Sequence, residues 1–125
     1  MSGLTLDTGA LIAFERNDRK LVVLMKRAME LGHSFAVPAG AVGQAWRDGR
    51  RQARLARLLG SAEVVIEPLS DRRAREAGQL CGATKTRDVI DASVVLCGKQ
   101  RGHSVVTSDP KVLRRLDASI PLIVV

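Results

Sequence analysis

Leu4-Thr5-Leu6-Asp7-Thr8-Gly9-Ala10-Leu11-Ile12-Ala13 joins a short apolar strand to the start of a helix through a single aspartate. Leu4 to Asp7 has the length and aliphatic content of a strand, and Gly9 to Phe14 reads as a helix. The alternation continues outward. Further strands are expected at Ser34 to Val37, Glu63 to Glu67, His103 to Thr107 and Leu122 to Val125. Between them Arg19 to Leu31 repeats apolar residues Leu21, Leu24, Met25, Ala28 and Leu31 at helical spacing, and Gly32 supplies a stop. Ala39 to Arg47 and Arg50 to Leu59 read as two short helices broken near Gly49, followed by helices over Asp71 to Cys81, Asp88 to Lys99 and Asp109-Pro110 to Leu116. Asp88 to Lys99 is apolar nearly all round, as a buried helix is. Strands separated by helices need crossover connections. The sequence therefore predicts an α/β fold, one domain over residues 1–125, with a mostly parallel central sheet and helices on both faces in three α/β/α layers.

Composition narrows the function. The apolar fraction of 46% in 125 residues supports a packed core and excludes an extended disordered chain. Two Phe, one Trp and no Tyr leave almost nothing on which to stack bases, so contact with a nucleic acid would be mainly electrostatic. The net charge of +7, with fifteen Arg among twenty basic residues, suits either a polyanionic partner or a well-solvated surface. Cys81 and Cys97 lie sixteen positions apart, without the paired spacing of a zinc site, and read as buried reduced thiols. The start lacks a basic region followed by a long apolar run, and no stretch reaches the roughly 20 apolar residues that span a bilayer. A cytoplasmic protein with no membrane partner is expected.

In open α/β sheets functional groups gather beyond the carboxyl ends of the strands. Asp7 ends the first strand, and Asp109 follows His103 to Thr107 after one intervening Ser. Asp88 and Asp91, three apart, share a face at the start of the buried helix. Each has a structural explanation as a helix cap or first-turn acid. Four carboxylates converging on one edge, however, are costly unless neutralised. A hard divalent cation such as Mg²⁺ or Mn²⁺ takes carboxylate oxygens and supports phosphodiester hydrolysis, alone or as a pair about 4 Å apart.

The residues 4–13 quoted above, Arg-Asp-Val-Ile-Asp-Ala at 87–92 and Val-Val-Thr-Ser-Asp-Pro at 105–110 together resemble the PIN-domain ribonucleases, specifically the VapC toxins of bacterial toxin–antitoxin pairs. The resemblance implies a Mg²⁺- or Mn²⁺-dependent endoribonuclease that cleaves RNA, forms a homodimer and is restrained by a cognate antitoxin. By position it implies catalytic and metal-binding roles for Asp7, Asp91 and Asp109, with Asp88 as a further metal-binding acid and Thr8 and Ser108 as supporting hydroxyls. One departure stands out: the family usually places a Glu on the helix after the second strand, and Val37 to Arg47 contains no acid. Gln44 matches that place better than Asp48. An amide brings no charge and cannot serve as a general base near neutral pH.

Arg47, Arg50, Arg54 and Arg57 follow intervals of three, four and three, which put them on one helical face if the segment is continuous. Arg47, Arg50 and Arg51, beside Gln44, are the expected contacts to RNA phosphates or to the antitoxin. The other reading is a solvated outer face. His33 and His103, each next to a glycine, read as turn residues, and Trp46 as a core or dimer contact. Two other functions compete with the nuclease. A PIN fold lacking an acid at Gln44 could bind RNA or a partner without cutting. More remotely, a receiver-like signalling domain shares the size and acidic site, but expects adjacent acids after the first strand, where Asp7 is followed by Thr8.

Overall fold

Gly3–Leu6 forms the first strand, β1, and all four of its residues are buried. Both faces of the strand are covered, as in a parallel sheet, and its one polar side chain, Thr5, is buried beside His103. The computed structural model of the protein describes residues 3–125. Along it follow α1 (Thr8–Glu15), α2 (Arg19–Glu30), β2 (Ser34–Pro38), α3 (Ala39–Ala45), α4 (Ala53–Leu59) and β3 (Val64–Glu67). The chain continues through α5 (Asp71–Thr84), α6 (Val89–Arg101), β4 (Ser104–Thr107), α7 (Pro110–Leu116) and β5 (Leu122–Val124).

The five strands run parallel in the order β3-β2-β1-β4-β5. One face packs Leu4, Leu6, Phe35, Val37 and Val106 against Leu11, Leu21, Met25, Leu55 and Leu58 of α1, α2 and α4. The other sets Val105 against Ala77 and Cys81 of α5, Val94 and Val95 of α6, and Leu113 of α7. Val105 and Val106 thus serve opposite cores, as the two-residue period of a strand requires. Both cysteines are buried and unbridged. None of the described helices is long and apolar enough to cross a membrane.

Local chemistry ends the elements near their expected limits. In α2, Asp18 accepts a hydrogen bond from the Leu21 N–H at 3.1 Å. Leu21, Met25 and Ala28 face the core, whereas Leu31, expected on the same stripe, is 63% exposed at the helix end, before Gly32 turns left-handed at φ 79°. Helix α5 runs three residues beyond Cys81, until Lys85 adopts the left-handed conformation that closes it.

Successive strands step outward from β1 through β2 to β3, after which the chain returns to place β4 on the other side of β1. The switch point between β1 and β4 opens a crevice at their carboxyl ends. This topology also removes the receiver-like alternative, whose strand order is 2-1-3-4-5.

Candidate functional site

Asp7 follows β1 directly, and its N–H donates to the Val106 carbonyl at 3.3 Å, so the β1–β4 pairing continues to the rim of the crevice. Its Oδ1 accepts the Ala10 N–H at 2.8 Å and caps α1. Burial pushes the Asp7 carboxyl above the usual carboxylate range, with Asp109 adding to the push, while hydrogen bonds from Thr107 and the Ala10 N–H oppose it. Thr107 is fully buried, and its hydroxyl oxygen also accepts the Asp109 N–H at 2.9 Å. It therefore ties the ends of β1 and β4 together. The resemblance gives hydroxyl roles to Thr8 and Ser108 and none to Thr107, although a hydroxyl closing β4 directly after Val105 and Val106, two residues before Asp109, was a usable signal.

Asp88 caps α6, its Oδ1 accepting the Asp91 N–H at 2.9 Å. Asp91 is half-buried, and its carboxyl is pushed up to about 6, first by burial and then by the charges of Asp88, Asp7 and Asp109. Asp91 thus feels the charges of the other three predicted acids, and Asp7 feels that of Asp109, across three segments. Asp109 stands at the cap position of α7 but makes no side-chain capping bond. The capping explanation holds for one oxygen of Asp7 and of Asp88, and fails for Asp109.

Two neighbours tighten the rim. Thr8 Oγ1 donates to Gln44 Oε1 at 2.6 Å, bringing the last turn of α3 beside the first residue of α1. A Cβ on Gly9 would collide with Ser108 Oγ and lie 3.5 Å from Asp7 Oδ1, so the missing side chain at Gly9 lets the Ser108 hydroxyl close in.

The arginines differ from a helical stripe. Residues 46–52 lie outside both helices, because the buried Gln52 gathers the connection around itself. Its Oε1 accepts the N–H groups of Arg47 and Asp48 at 2.7 and 2.9 Å, and its Nε2 donates to Ala45 O at 2.9 Å and Glu15 Oε2 at 3.0 Å. Arg47 folds back to donate to Trp46 O and Gly43 O at 2.8 and 3.1 Å. Arg50 is exposed on the turn, and Arg51 is paired at 3.9 Å with Asp48. Arg54 stacks over Phe14, its guanidinium carbon 5.4 Å from the ring centre, and Arg57 Nε donates to Ala53 O of its own helix at 3.4 Å. A cleft of about 470 Å³ beside α1 is lined by Gln44, Arg16, Arg47 and Arg51. A second of about 470 Å³ takes in Gly9, Ser108 and again Arg16. Sequence reading missed Arg16, which the end of α1 places between the two.

Outside the site, Trp46 caps α3 partly exposed, and so is not a core residue. His103 is more than a turn residue: it is buried, with Nδ1 3.0 Å from the hydroxyl oxygen of the fully buried Thr5.

The donor set is hard oxygen throughout, which suits Mg²⁺ or Mn²⁺ and not a thiophilic metal. Among the described residues no three Asp, Glu, His or Cys side chains are gathered so as to enclose one ion. A Mg²⁺-like ion keeps several waters and needs only one or two direct carboxylates, so the open arrangement fits it.

The PIN domain family model matches residues 4–119. The chain belongs to the PIN domain family. No curated protein matches it. Among solved structures, this PIN domain is similar to VapBC2 from Rickettsia felis bound to a DNA fragment from their promoter, with 13% identity, 98% of each chain covered and a TM-score of 0.73. It is also similar to FitAcB from Neisseria gonorrhoeae, at 16% identity, 96% of each chain and a TM-score of 0.64. Mycobacterium tuberculosis VapC20, a Sarcin-Ricin loop cleaving toxin, aligns over 82% of this chain and 87% of its own, at 16% identity and a TM-score of 0.61. At such identities the likeness establishes the fold of this PIN domain and not its substrate.

Proposed function

We propose that this PIN domain is a metal-dependent endoribonuclease, the toxin of a toxin–antitoxin pair, acting on RNA through Asp7, Asp88, Asp91 and Asp109 and restrained by a cognate antitoxin. The observation that carries this reading is the grouping of four carboxylates on one rim, where burial first and then the charges of Asp88, Asp7 and Asp109 raise the Asp91 carboxyl to about 6. Such a cluster is stable at neutral pH when a cation balances it. When bound, Mg²⁺ or Mn²⁺ would supply that balance and polarise the scissile phosphate. Asp7, fixed by Thr107 and the Ala10 N–H, gives the site its rigid floor. Asp88 and Asp109 present carboxylates from the exposed rim. Asp91 is the acid suited to accept a proton from the attacking water at a carboxylate oxygen. Ser108 and Thr8 line the approach. The solved neighbours named as VapBC and Fit assemblies support an antitoxin partner, and the open basic turn at Arg47, Arg50 and Arg51 supports contact with RNA or that partner.

Gln44, hydrogen-bonded to Thr8 where the resemblance expects an acid, favours a second reading in which the domain binds RNA without cutting it. Incubating purified protein with total RNA in Mn²⁺ or Mg²⁺, beside an EDTA control, separates the two. Cleavage is expected with metal, absent in EDTA, and reduced by about 10²-fold or more in Asp7→Asn and Asp91→Asn. Wild-type protein that binds RNA but never cuts it would overturn the nuclease assignment.

A further inference from the structure

Gln44 has its two amide ends in different situations. The oxygen is engaged by the Thr8 hydroxyl at 2.6 Å. Thr8 directly follows Asp7, so this bond holds the amide at the edge of the carboxylate cluster. The nitrogen donates to no protein atom among the hydrogen bonds of the described residues, and the half-buried side chain lines the cleft of about 470 Å³ shared with Arg16, Arg47 and Arg51. With one lone pair of its oxygen taken by Thr8, the amide still offers a ligand both of its N–H donors, against a single remaining lone pair. The cleft sets the guanidinium groups of Arg16, Arg47 and Arg51 against the carboxylates of Glu15 and Asp48, with Asp48 paired to Arg51, and a donor opening into that net-positive groove matches an anionic oxygen.

We propose that Gln44 Nε2 binds a phosphate oxygen of the RNA backbone beside the carboxylate cluster, so that this position contacts the polyanion directly without a metal ion between them. The inference rests on RNA being the ligand of the site, but not on its being cut. It assigns Gln44 to substrate binding, in a place where a carboxylate would repel the same phosphate. Glutamate has nearly the same shape, so Gln44→Glu reverses the electrostatics with little change in packing, whereas Gln44→Met removes the donor and keeps the length.

Affinity for a fluorescein-labelled, mixed-sequence single-stranded RNA, measured by anisotropy in EDTA at low salt, tests this without any turnover. Losing a hydrogen bond to a charged group corresponds to about 1.5 kcal/mol or more, roughly tenfold. Gln44→Met is expected to bind about tenfold more weakly than wild type, and Gln44→Glu more weakly still, with thermal unfolding of both variants close to wild type. In turnover with Mn²⁺, Gln44→Met should raise KM and leave kcat nearly unchanged. If both folded variants bind RNA in EDTA as wild type does, the inference is wrong, even where metal-dependent cleavage stands. If wild type never cleaves but the ordered loss of affinity appears, the nuclease reading fails and the phosphate contact stands. Should Gln44→Met unfold, the isosteric Gln44→Glu decides by itself: unchanged affinity overturns the proposal and weakened affinity supports it.

Discussion

Asp91 links the site to the stability of the chain. Its carboxyl is pushed up to about 6 by burial and by Asp88, Asp7 and Asp109, and Asp7 moves in the same direction. An acid raised on folding is bound more tightly by protons in the folded state than in the unfolded one. The metal-free protein therefore loses stability as pH rises from about 4 to about 6, and the loss persists above that window. Because Asp91 is half-exposed, solvent screening reduces the effect to on the order of 1 kcal/mol. In EDTA, Asp91→Asn should be the more stable protein at pH 7.5 by a few degrees in Tm, with the difference vanishing near pH 4. Parallel Tm–pH curves for wild type and variant would mean that neither burial nor the neighbouring carboxylates raise the Asp91 carboxyl on folding. The acids themselves were legible in the sequence, Asp7 and Asp109 from their places after strands and Asp88 and Asp91 from their spacing at the start of a buried helix. The clamp on Asp7 by Thr107 was not, because a hydroxyl at a strand end has many possible partners until β4 is set beside β1.

Helix α6 carries Asp88 and Asp91 at its start and reaches the sheet closely near its end. A Cβ at Gly98 would lie 2.6 Å from Val105 Cγ2, a contact that packed atoms do not make. Gly98→Ala is expected to destabilise the protein by about 1–3 kcal/mol through overpacking, despite the better helix propensity of Ala. Val105→Ala should relieve part of that cost, so the double mutant falls short of the sum of the single effects by at least about 0.5 kcal/mol in denaturant unfolding. Additive effects would show that the helix shifts away from β4 instead. The burial of α6 followed from its nearly unbroken apolar sequence, whereas the position of its closest approach depends on β4 and could not be read from the helix. The arginine spacing from Arg47 to Arg57 suggested a helix face for a similar local reason. The periodicity is real, but Gln52 captures the Arg47 and Asp48 N–H groups and holds the connection in a non-helical path. Helical spacing cannot reveal that a buried amide competes for those donors.

The whole molecule carries +7, and its arginines are divided between structural and exposed duties. Arg73 is spent internally, bridging Glu67 at 3.0 Å and Glu76 at 3.3 Å and donating to Gln100 at 2.8 Å. Arg16, Arg50 and Arg51 are exposed around α1 and the turn that faces it. If about three of these cations meet phosphates, the logarithm of the RNA binding constant should fall with the logarithm of salt concentration at a slope of about −2. Arg51→Gln should flatten that slope by about 0.7 in a titration from 50 to 200 mM salt. Arg75→Gln, which removes the exposed partner of Asp71 on α5, should leave it unchanged. A slope near zero for wild type would exclude the basic turn as an RNA contact. By itself the sequence determined the α/β class, the order and approximate limits of the elements, and the acids that lie at strand ends and helix starts, because periodicity, caps and glycine stops act within a few residues. Tertiary structure alone decided the strand order with β1 beside β4, the Thr107 link, the Thr8–Gln44 bond and the fate of each arginine. Those outcomes depend on which distant groups compete for the same donor, charge or space once the chain is packed.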